Sequence, residues 1–450
     1  MSFSGFIVQL LGGLAGASSM FLVAAGLSLI FGVTRIVNFA HGSFFMVGIY
    51  LAYTLVDKLG TGLVVWPALL LAAIAVGVVG ALIEMTLLRR IYKAPELFQL
   101  LATFALVLVI KDAVLYLWGP DELLGPRAPG LSGSIEILGR QFPTYDLFLI
   151  VVGPVVLGLL WLLLTRTRWG TLVRAATQDR EMVSALGVNQ AWLFTAVFAL
   201  GAMLAGLGGA LQLPREPATL EMDLNTIGGA FVVVVVGGMG SIPGAYAAAL
   251  LISEIKALCI WLGVVEVFGI TISFSKLTLV VEFLVMAVVL VVRPWGLFGK
   301  PQAPSRYVGM QEEPLRKPGR AYLAAAGAFV LALAVLPQFT ADSPYTVVLA
   351  IDLMIAALFA ASLHFIMGPA GMHSFGHAAY FGLGAYGAAL LVRAAGLPME
   401  LALVVAPLVS LAWPLQGRGF IAVALLSGLL SLTIGFVLWF RAAPDDVDAW

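Results

Sequence analysis

Residues 1–34 pass without a charged side chain, and apolar runs of similar length recur to the far end of the chain. A helix crossing a bilayer core of about 30 Å needs about 20 such residues. Hydrophobic residues make up 61% of the sequence and charged residues 11%, whereas soluble domains carry about 25% charged residues. Lipid offers no partners to backbone N–H and C=O groups, so spans must be helices or closed barrels. Runs of this length select helices, and the chain reads as an all-α polytopic membrane protein. Net charge is zero, which leaves no electrostatic footprint for nucleic acid. The single cysteine, Cys259, excludes an intrachain disulfide and sits in an apolar run that suits plain packing. The first charge is Arg35, so the N-terminal run lacks the basic n-region of a signal peptide and is expected to be a retained span.

Apolar runs place spans near 7–32, 40–56, 63–88, 98–118, 146–165, 192–213, 227–262 and 278–297. The run 227–262 is too long for one span, and Gly-Gly-Met-Gly-Ser-Ile-Pro-Gly at 237–244 divides it into two elements. Irregular backbone at membrane depth must be buried in protein or line a cavity, so this break is expected to face the bundle interior. Basic residues cluster at Arg89, Arg90 and Lys93, at Arg166, Arg168, Arg174 and Arg180, and at Lys300, Arg306, Arg316, Lys317 and Arg320. The positive-inside rule puts all three clusters in the cytoplasm and the Pro/Gly-rich loop 119–145 outside. The parity of crossings agrees only if 227–262 crosses twice.

Residues 300–320 carry four prolines and charges of both signs, and read as a cytoplasmic linker between a first domain at 1–299 and a second half. Further spans are expected at 321–337, 346–367 and 375–393, with a weak one near 401–413 and another at 419–441. The stretch 25–56 returns 336 residues later as 361–392, with about a dozen of 32 positions identical. Gly32 meets Gly368, Phe39 meets Phe375, His41 meets His377, Phe45 meets Phe381, Gly48 meets Gly384 and Tyr50 meets Tyr386. Many transporters are built from two related halves around a central path. The extra span at 321–337 gives both copies the same orientation, so the repeat is expected to be parallel.

Four features carry candidate function. The polar stretch 165–191 lies between two strong spans, and its Asp179-Arg180-Glu181 start and Gly187 stop suit a short helix. Such a helix can dock a soluble partner, and an ordinary charged loop is the alternative. The glycine break offers Gly237, Gly238, Gly240 and Ser241 to a translocation path or to close helix packing. No Lys-Ser/Thr follows it, which argues against a phosphate loop. Asn38, His41 and Ser43 in the first copy, and His373, Ser374 and His377 in the second, gather polar groups at a helix start. No carboxylates or cysteines join these histidines at metal-ligand spacing, so a hydrogen bond to backbone is expected and no metal site. Lys111 and Asp112 lie inside a span, and Glu84, Glu254, Lys256, Lys276 and Glu282 near span ends, where snorkelling explains them.

Glu181-Met-Val-Ser-Ala-Leu-Gly187 follows the Glu-Ala-Ala-three-residues-Gly signature of ABC importer permeases, with Met182 and Val183 in place of the alanines. GLSLIFGVTRIVNFAHGSFFMVG at 26–48, LLATFALVLVIKD at 100–112, RAATQDREMVSALGVN at 174–189, AFVVVVVGGMGSIPGA at 230–245 and RPWGLFG at 293–299 extend the likeness. Nearly all of 1–300 thereby resembles the permeases of branched-chain amino acid importers. Residues 321–410 are similar to the start of the partner permease of such an importer, through ALFAASLHFIMGPAGMHSFGHAAYFGLGAYGAAL at 357–390.

The resemblance implies a parallel-repeat ABC importer permease bundle with a second, incomplete permease-like half. It implies cytoplasmic ABC ATPases as partners, a periplasmic or extracellular substrate-binding protein, and a bacterial inner-membrane location. Arg174, Asp179, Arg180, Glu181 and Gly187 would form the ATPase-coupling loop. The chain itself has no Gly-x4-Gly-Lys-Ser/Thr motif, so it is expected to be no enzyme and to hold no cofactor. Urea, short amides and aromatic acids are alternative cargoes. An ATPase-independent secondary transporter or channel is the rival class; it predicts paired intramembrane charges and no docking loop.

The second half lacks a further Glu-x5-Gly loop downstream of Val392, and beyond about Ser410 the likeness stops. Residues 411–450 form a divergent apolar segment with an acidic tail. A truncated or frameshifted second permease is the expectation, with a split permease completed by a second permease chain as the alternative.

Overall fold

The computed structural model of the chain describes residues 3–60, 62–92, 94, 96–178, 180–267, 270–299, 319–339, 344–368, 377–399, 401–402 and 404–406. The chain divides into two compact units, Met1–Arg306 and Tyr307–Trp450. Most of the linker at 300–320, the repeat's return over 369–376, the span at 419–441 and the segment 411–450 lie outside the described residues.

The first unit is a helical bundle. It begins with α1 (Phe3–Thr34), α2 (His41–Leu59) and α3 (Val65–Ile83), which runs through a π turn at Glu84–Leu88 into α4 (Arg89–Ile91). Then come α5 (Glu96–Trp118), a hairpin of β1 (Ser134–Ile137) and β2 (Arg140–Pro143), and α6 (Thr144–Arg166). The short helices α7 (Arg168–Gln178) and α8 (Arg180–Ala185) lead to α9 (Gln190–Ala210), α10 (Met222–Gly237) and α11 (Ile242–Leu262). A second hairpin, β3 (Val264–Val267) and β4 (Ile270–Ser273), precedes α12 (Phe274–Val292). Among the described residues of the whole chain, seven helices are long and apolar enough to cross a membrane.

α1 is uncharged and apolar all round because it is the buried axis of the bundle, packed against α6, α9, α10 and α11. Small residues let its neighbours approach backbone to backbone, the usual device where lipid supplies no hydrophobic drive between helices. Gly48 of α2 faces the Gly206 carbonyl of α9, and Gly80 of α3 lies against Ala202 of α9. The outer faces show the converse pattern. Tyr116 on α5 is 90% exposed and Val291 on α12 is 84% exposed, with Leu70, Ile74, Val109, Val151 and Leu159 also on the surface. So large an apolar surface is stable only against lipid, and the chain is a multi-pass membrane protein.

The break at 237–244 separates α10 from α11, as its glycines lead one to expect, and its neighbour is a surprise. The last expected span, 278–297, stops at Val292; residues 293–299 turn back onto the break. The N–H of Leu297 donates to the Val236 carbonyl at 2.8 Å, and that of Phe298 to the Gly237 carbonyl at 3.0 Å. The freed carbonyls at the end of α10 are thus satisfied inside the protein, as the bilayer requires. Gly238, at φ 100°, lies against Gly296 and Gly299, where no side chain fits. Two β-hairpins accompany the helices, β1–β2 within the expected loop 119–145 and β3–β4 between α11 and α12. Each is a short ladder at the end of the bundle remote from the arginine clusters.

The second unit contains α13 (Arg320–Phe339), α14 (Pro344–Met367) and α15 (His377–Ala395). The offset of 336 residues carries α2 onto α15 at both ends, His41 to His377 and Leu59 to Ala395. Burial is not shared: Tyr50 is 0% exposed, whereas Tyr386, its counterpart, is 76% exposed.

Candidate functional site

The arginines gather at one end of the first unit. Arg35 donates to the Thr177 carbonyl at 3.5 Å, Arg89 to the Ala191 carbonyl at 3.3 Å, and Arg174 to the Leu164 carbonyl at 2.6 Å. This is the end that the positive-inside rule predicts to be cytoplasmic. The opposite end is tied by the Arg215–Asp146 ion pair at 3.0 Å and by Tyr145, whose hydroxyl donates to the Leu211 carbonyl at 2.7 Å.

α2 does not start at the membrane surface. His41 sits against Gly26 of α1, and its Nε2 is 2.9 Å from the Val23 carbonyl. A carbonyl only accepts, so Nε2 carries the proton and donates. From Gly26 to Thr34 α1 rises about 12 Å, so residues 35–40 re-enter the bundle as irregular backbone before α2 begins. Asn38 turns this segment: its Oδ1 accepts from Ala40 N–H at 3.1 Å, and its carbonyl accepts from His41 N–H at 3.2 Å. Phe39 N–H donates to Thr103 Oγ1 on α5 at 3.4 Å. The expected hydrogen bond from His41 to backbone is therefore present. Nδ1 of His41, Nδ2 of Asn38 and Oγ of Ser43 are buried without a hydrogen-bond partner.

A cavity of about 310 Å³ lies between α1, α10, α11 and the segment after α9. Its rim carries Gln9, Gln212, Arg215, Glu216 and Lys256, and its depth is formed by Met20, Val23, Phe45 and Ile252. It opens at the outer end of the bundle. Val23, the residue whose carbonyl holds His41, is among its lining residues. None of Asn38, His41, Gly237, Gly238, Gly240 and Ser241 lines it. Gly237 and Gly238 are buried in backbone packing, Gly240 touches Gly32 of α1, and Ser241 Oγ caps α11 by accepting from Gly244 N–H at 3.2 Å. The rim charges escaped the sequence reading because their partners are distant in the chain. Lys256 on α11 pairs with Glu282 on α12, and Arg215 with Asp146 on α6. Lys256 and Glu282, placed near span ends by the sequence, are each other's partners.

Glu84, expected near the interface, is buried within the protein. It is 0% exposed and accepts from Arg89 at 3.1 Å, from the Tyr92 hydroxyl at 3.1 Å and from the Thr195 hydroxyl at 2.6 Å. The π turn at Glu84–Leu88 accompanies this junction between α3 and the start of α9.

The loop between α6 and α9 is two helices on a fixed base. Thr167 Oγ1 accepts from Gly170 N–H at 3.0 Å at the start of α7, and Asn189 Oδ1 accepts from Trp192 N–H at 3.1 Å at the start of α9. α8 ends in a left-handed turn at Gly187, φ 83°, with Gly187 N–H on the Ser184 carbonyl at 2.9 Å and Val188 N–H on the Val183 carbonyl at 3.4 Å. This is the paired C-terminal bond pattern that favours glycine. Met182 and Leu186 point to solvent at 59% and 76% exposed. Asp179 lies outside the described residues, as do the side chains of Arg180 and Glu181. Arg174 is engaged in holding α7 to the end of α6.

A multi-pass bundle with an outward cavity and a braced helical loop at its basic end has the build of a permease. The family model described as the permease component of the branched-chain amino acid transport system matches residues 9–290, and the chain belongs to this family. The high-affinity branched-chain amino acid transport system permease protein BraD of Pseudomonas aeruginosa is 30% identical over 308 residues, 66% of this chain and 97% of the relative. The LivH permease protein of the corresponding system in Salmonella typhimurium is 26% identical over 308 residues, 66% of this chain and 96% of the relative. The fructose import permease protein FrcC of Rhizobium meliloti is 29% identical over 206 residues, 41% of this chain and 54% of the relative. No solved structure matches the chain.

Proposed function

We propose that this chain is the membrane subunit of an ATP-driven importer for branched-chain or related amino acids in a bacterial plasma membrane. In this reading ATP is hydrolysed by separate cytoplasmic ATPases, and an external binding protein delivers the cargo. The observation that carries it is the loop α7–α8. The short helix α8 and the turn after it present Met182 and Leu186 to water, while the base of the loop is bonded to α1, α6 and α9. Exposed apolar side chains on a braced element suit insertion into a partner cleft, and a braced base carries the partner's movement into the bundle.

The same reading takes 1–299 as a whole permease domain, 300–320 as a linker and 321–410 as the start of a partner permease. The register of α15 with α2 supports the last of these. Substrate choice falls largely to the binding protein. Reconstitution in proteoliposomes with cognate ATPases and binding protein, using labelled leucine and labelled urea in parallel, tests the function. ATP-dependent leucine accumulation is expected. Accumulation that needs no ATPase would favour the secondary-transporter class instead, and uptake of urea alone would change the cargo.

A further inference from the structure

We propose that the exposed face of α5 pairs in the membrane with α5 of a second copy of this chain, as a parallel two-stranded seam about a two-fold axis. This goes beyond the importer reading and is independent of the ATPase and of the cargo. Phe98, Leu101, Ala105, Leu108, Asp112 and Leu115 follow one another at alternating intervals of three and four residues. All six are exposed. The spacing is the a/d repeat of helices that pack side by side along their whole length. From Phe98 to Leu115 the seam runs about 25 Å, most of a bilayer core of about 30 Å.

Burial divides the helix by the same register. With Phe98, Ala105 and Asp112 at a and the leucines at d, the buried residues Leu106, Val107, Ile110 and Val114 fall at b, c and f and face the bundle. Val109 and Tyr116, both exposed, fall at e and flank the seam. The face left uncovered is therefore the one that a helix offers to its partner in a coiled coil. Leucine at d suits a parallel pair of two strands. A small residue at the middle a position, Ala105, lets two membrane helices approach closely.

Charge selects the occupant. Lipid covers an apolar face well, but Asp112 is exposed in the middle of this one, about 9 Å along α5 from its last residue, Trp118. Lysine and arginine snorkel on long stems; an aspartate has no such reach and needs a partner inside the bilayer. Among the described residues neither Asp112 nor its neighbour Lys111 forms an ion pair. Asp223 of α10 is near enough for Lys111 to act on it electrostatically, and still no pair closes between them. In a parallel coiled coil an a side chain inserts among four residues of the facing helix, one of them the g residue just before the facing a. Asp112 thus meets Lys111 of the second copy, and the two-fold axis makes the contact twice. Two copies inserted in one orientation run their α5 helices parallel, as this pairing needs. The polar a position also fixes the register of an otherwise apolar seam.

The test is disulfide crosslinking of the full chain in membranes, with two differently tagged versions expressed together. Cys259→Ala is the background, because Cys259 is the chain's one cysteine. Leu101→Cys, Leu108→Cys and Leu115→Cys should each give, on mild oxidation with copper phenanthroline, a dimer that carries both tags. Leu70→Cys, an exposed position on α3, should give none, since a disulfide needs its two Cα atoms within about 7 Å. In the Leu108→Cys chain, Asp112→Lys gathers four ammonium groups at one depth and should abolish the dimer. Exchanging the charges, Lys111→Asp with Asp112→Lys, should restore it. Asp112 and the leucines are exposed in the single chain, so these changes leave its own packing intact, which thermal unfolding checks. Where the exchange itself shifts unfolding, Asp112→Lys alone decides. No dimer at the three leucine positions overturns the proposal, and so does an equal yield from Leu70→Cys. A dimer that persists in Asp112→Lys overturns it too, as does an exchange that restores nothing at unchanged unfolding. Crosslinks to a different polypeptide, with no product carrying both tags, replace the second copy by another partner and overturn it as well.

Discussion

The hydroxyl of Ser362 lies 2.7 Å from Nε2 of His377 and donates to the Phe359 carbonyl at 2.8 Å. One repeat earlier the same positions are Gly26, His41 and Val23, and His41 reaches the Val23 carbonyl directly. In the second unit a hydroxyl stands between the histidine and the carbonyl; in the first, a glycine lets the ring pass. The repeat thus preserves a contact between two helices, with its small residue exchanged for a bridging one. Phe359 and Phe381 are in edge contact at 5.4 Å, and their counterparts Val23 and Phe45 together line the cavity. A methyl at Gly26 would overlap the Gly201 carbonyl and press on the His41 ring. Gly26→Ser should therefore cost about 1–3 kcal/mol by overpacking. Ser362→Gly should cost about 0.6 kcal/mol, the average for a hydrogen bond between membrane helices. Thermal unfolding of the solubilised chain, followed by tryptophans of each unit, compares the two.

The glycines of the break should differ sharply from a glycine elsewhere in the same helix. A Cβ on Gly237 would meet the Gly244 backbone, whereas one on Gly228 meets nothing within 4 Å. Gly237→Ala is expected to destabilise by about 1–3 kcal/mol. Gly228→Ala, in the middle of α10, should stabilise by about 0.5–1 kcal/mol through helix propensity. Midpoints of thermal or denaturant unfolding distinguish these outcomes, and equal shifts would contradict the packing role given to Gly237.

Glu84 is the acceptor that joins Arg89, Tyr92 and Thr195. Removing it in Glu84→Ala takes one shared acceptor from the Tyr92 hydroxyl, the Thr195 hydroxyl and the Arg89 guanidinium. The expected cost is about 1–3 kcal/mol, kept modest because Arg89 is 38% exposed and finds water. Glu84→Gln retains an acceptor and should lose less. Hydrogen exchange of α9 backbone amides near Thr195 reads the loosening locally, and an unchanged pattern in Glu84→Ala would remove Glu84 as the junction between α3 and α9.

Periodicity and charge made much of this fold legible. Apolar length located the long helices, the arginines oriented them, and the glycines at 237–244 announced the interruption between α10 and α11. His41 was readable as a backbone donor because nothing near it in sequence could share a metal. Contacts between distant segments were not readable. The turn of 293–299 onto the break satisfies carbonyls whose need is visible in sequence, but the residues that meet it are not. Lys256 and Glu282 lie on different helices, so they appeared as separate charges near span ends, and Arg215 and Asp146, further apart still, gave no sign of a pair. Glu84 looked interfacial because Arg89 and Arg90 follow it, while the partner that completes its buried shell, Thr195, arrives from another helix.

Docking of α8 on a cytoplasmic ATPase is decided by capture of that ATPase with the tagged full chain. Gly187 sits at φ 83° on the surface, with no atom within 4 Å of an added Cβ. Gly187→Trp therefore strains the end of α8 and blocks its face while leaving the bundle intact. Glu181→Arg reverses the charge of the signature position. The native chain should capture the ATPase and both variants should lose it, with unchanged thermal unfolding of the transmembrane bundle. Equal capture by the native chain and both variants would contradict it.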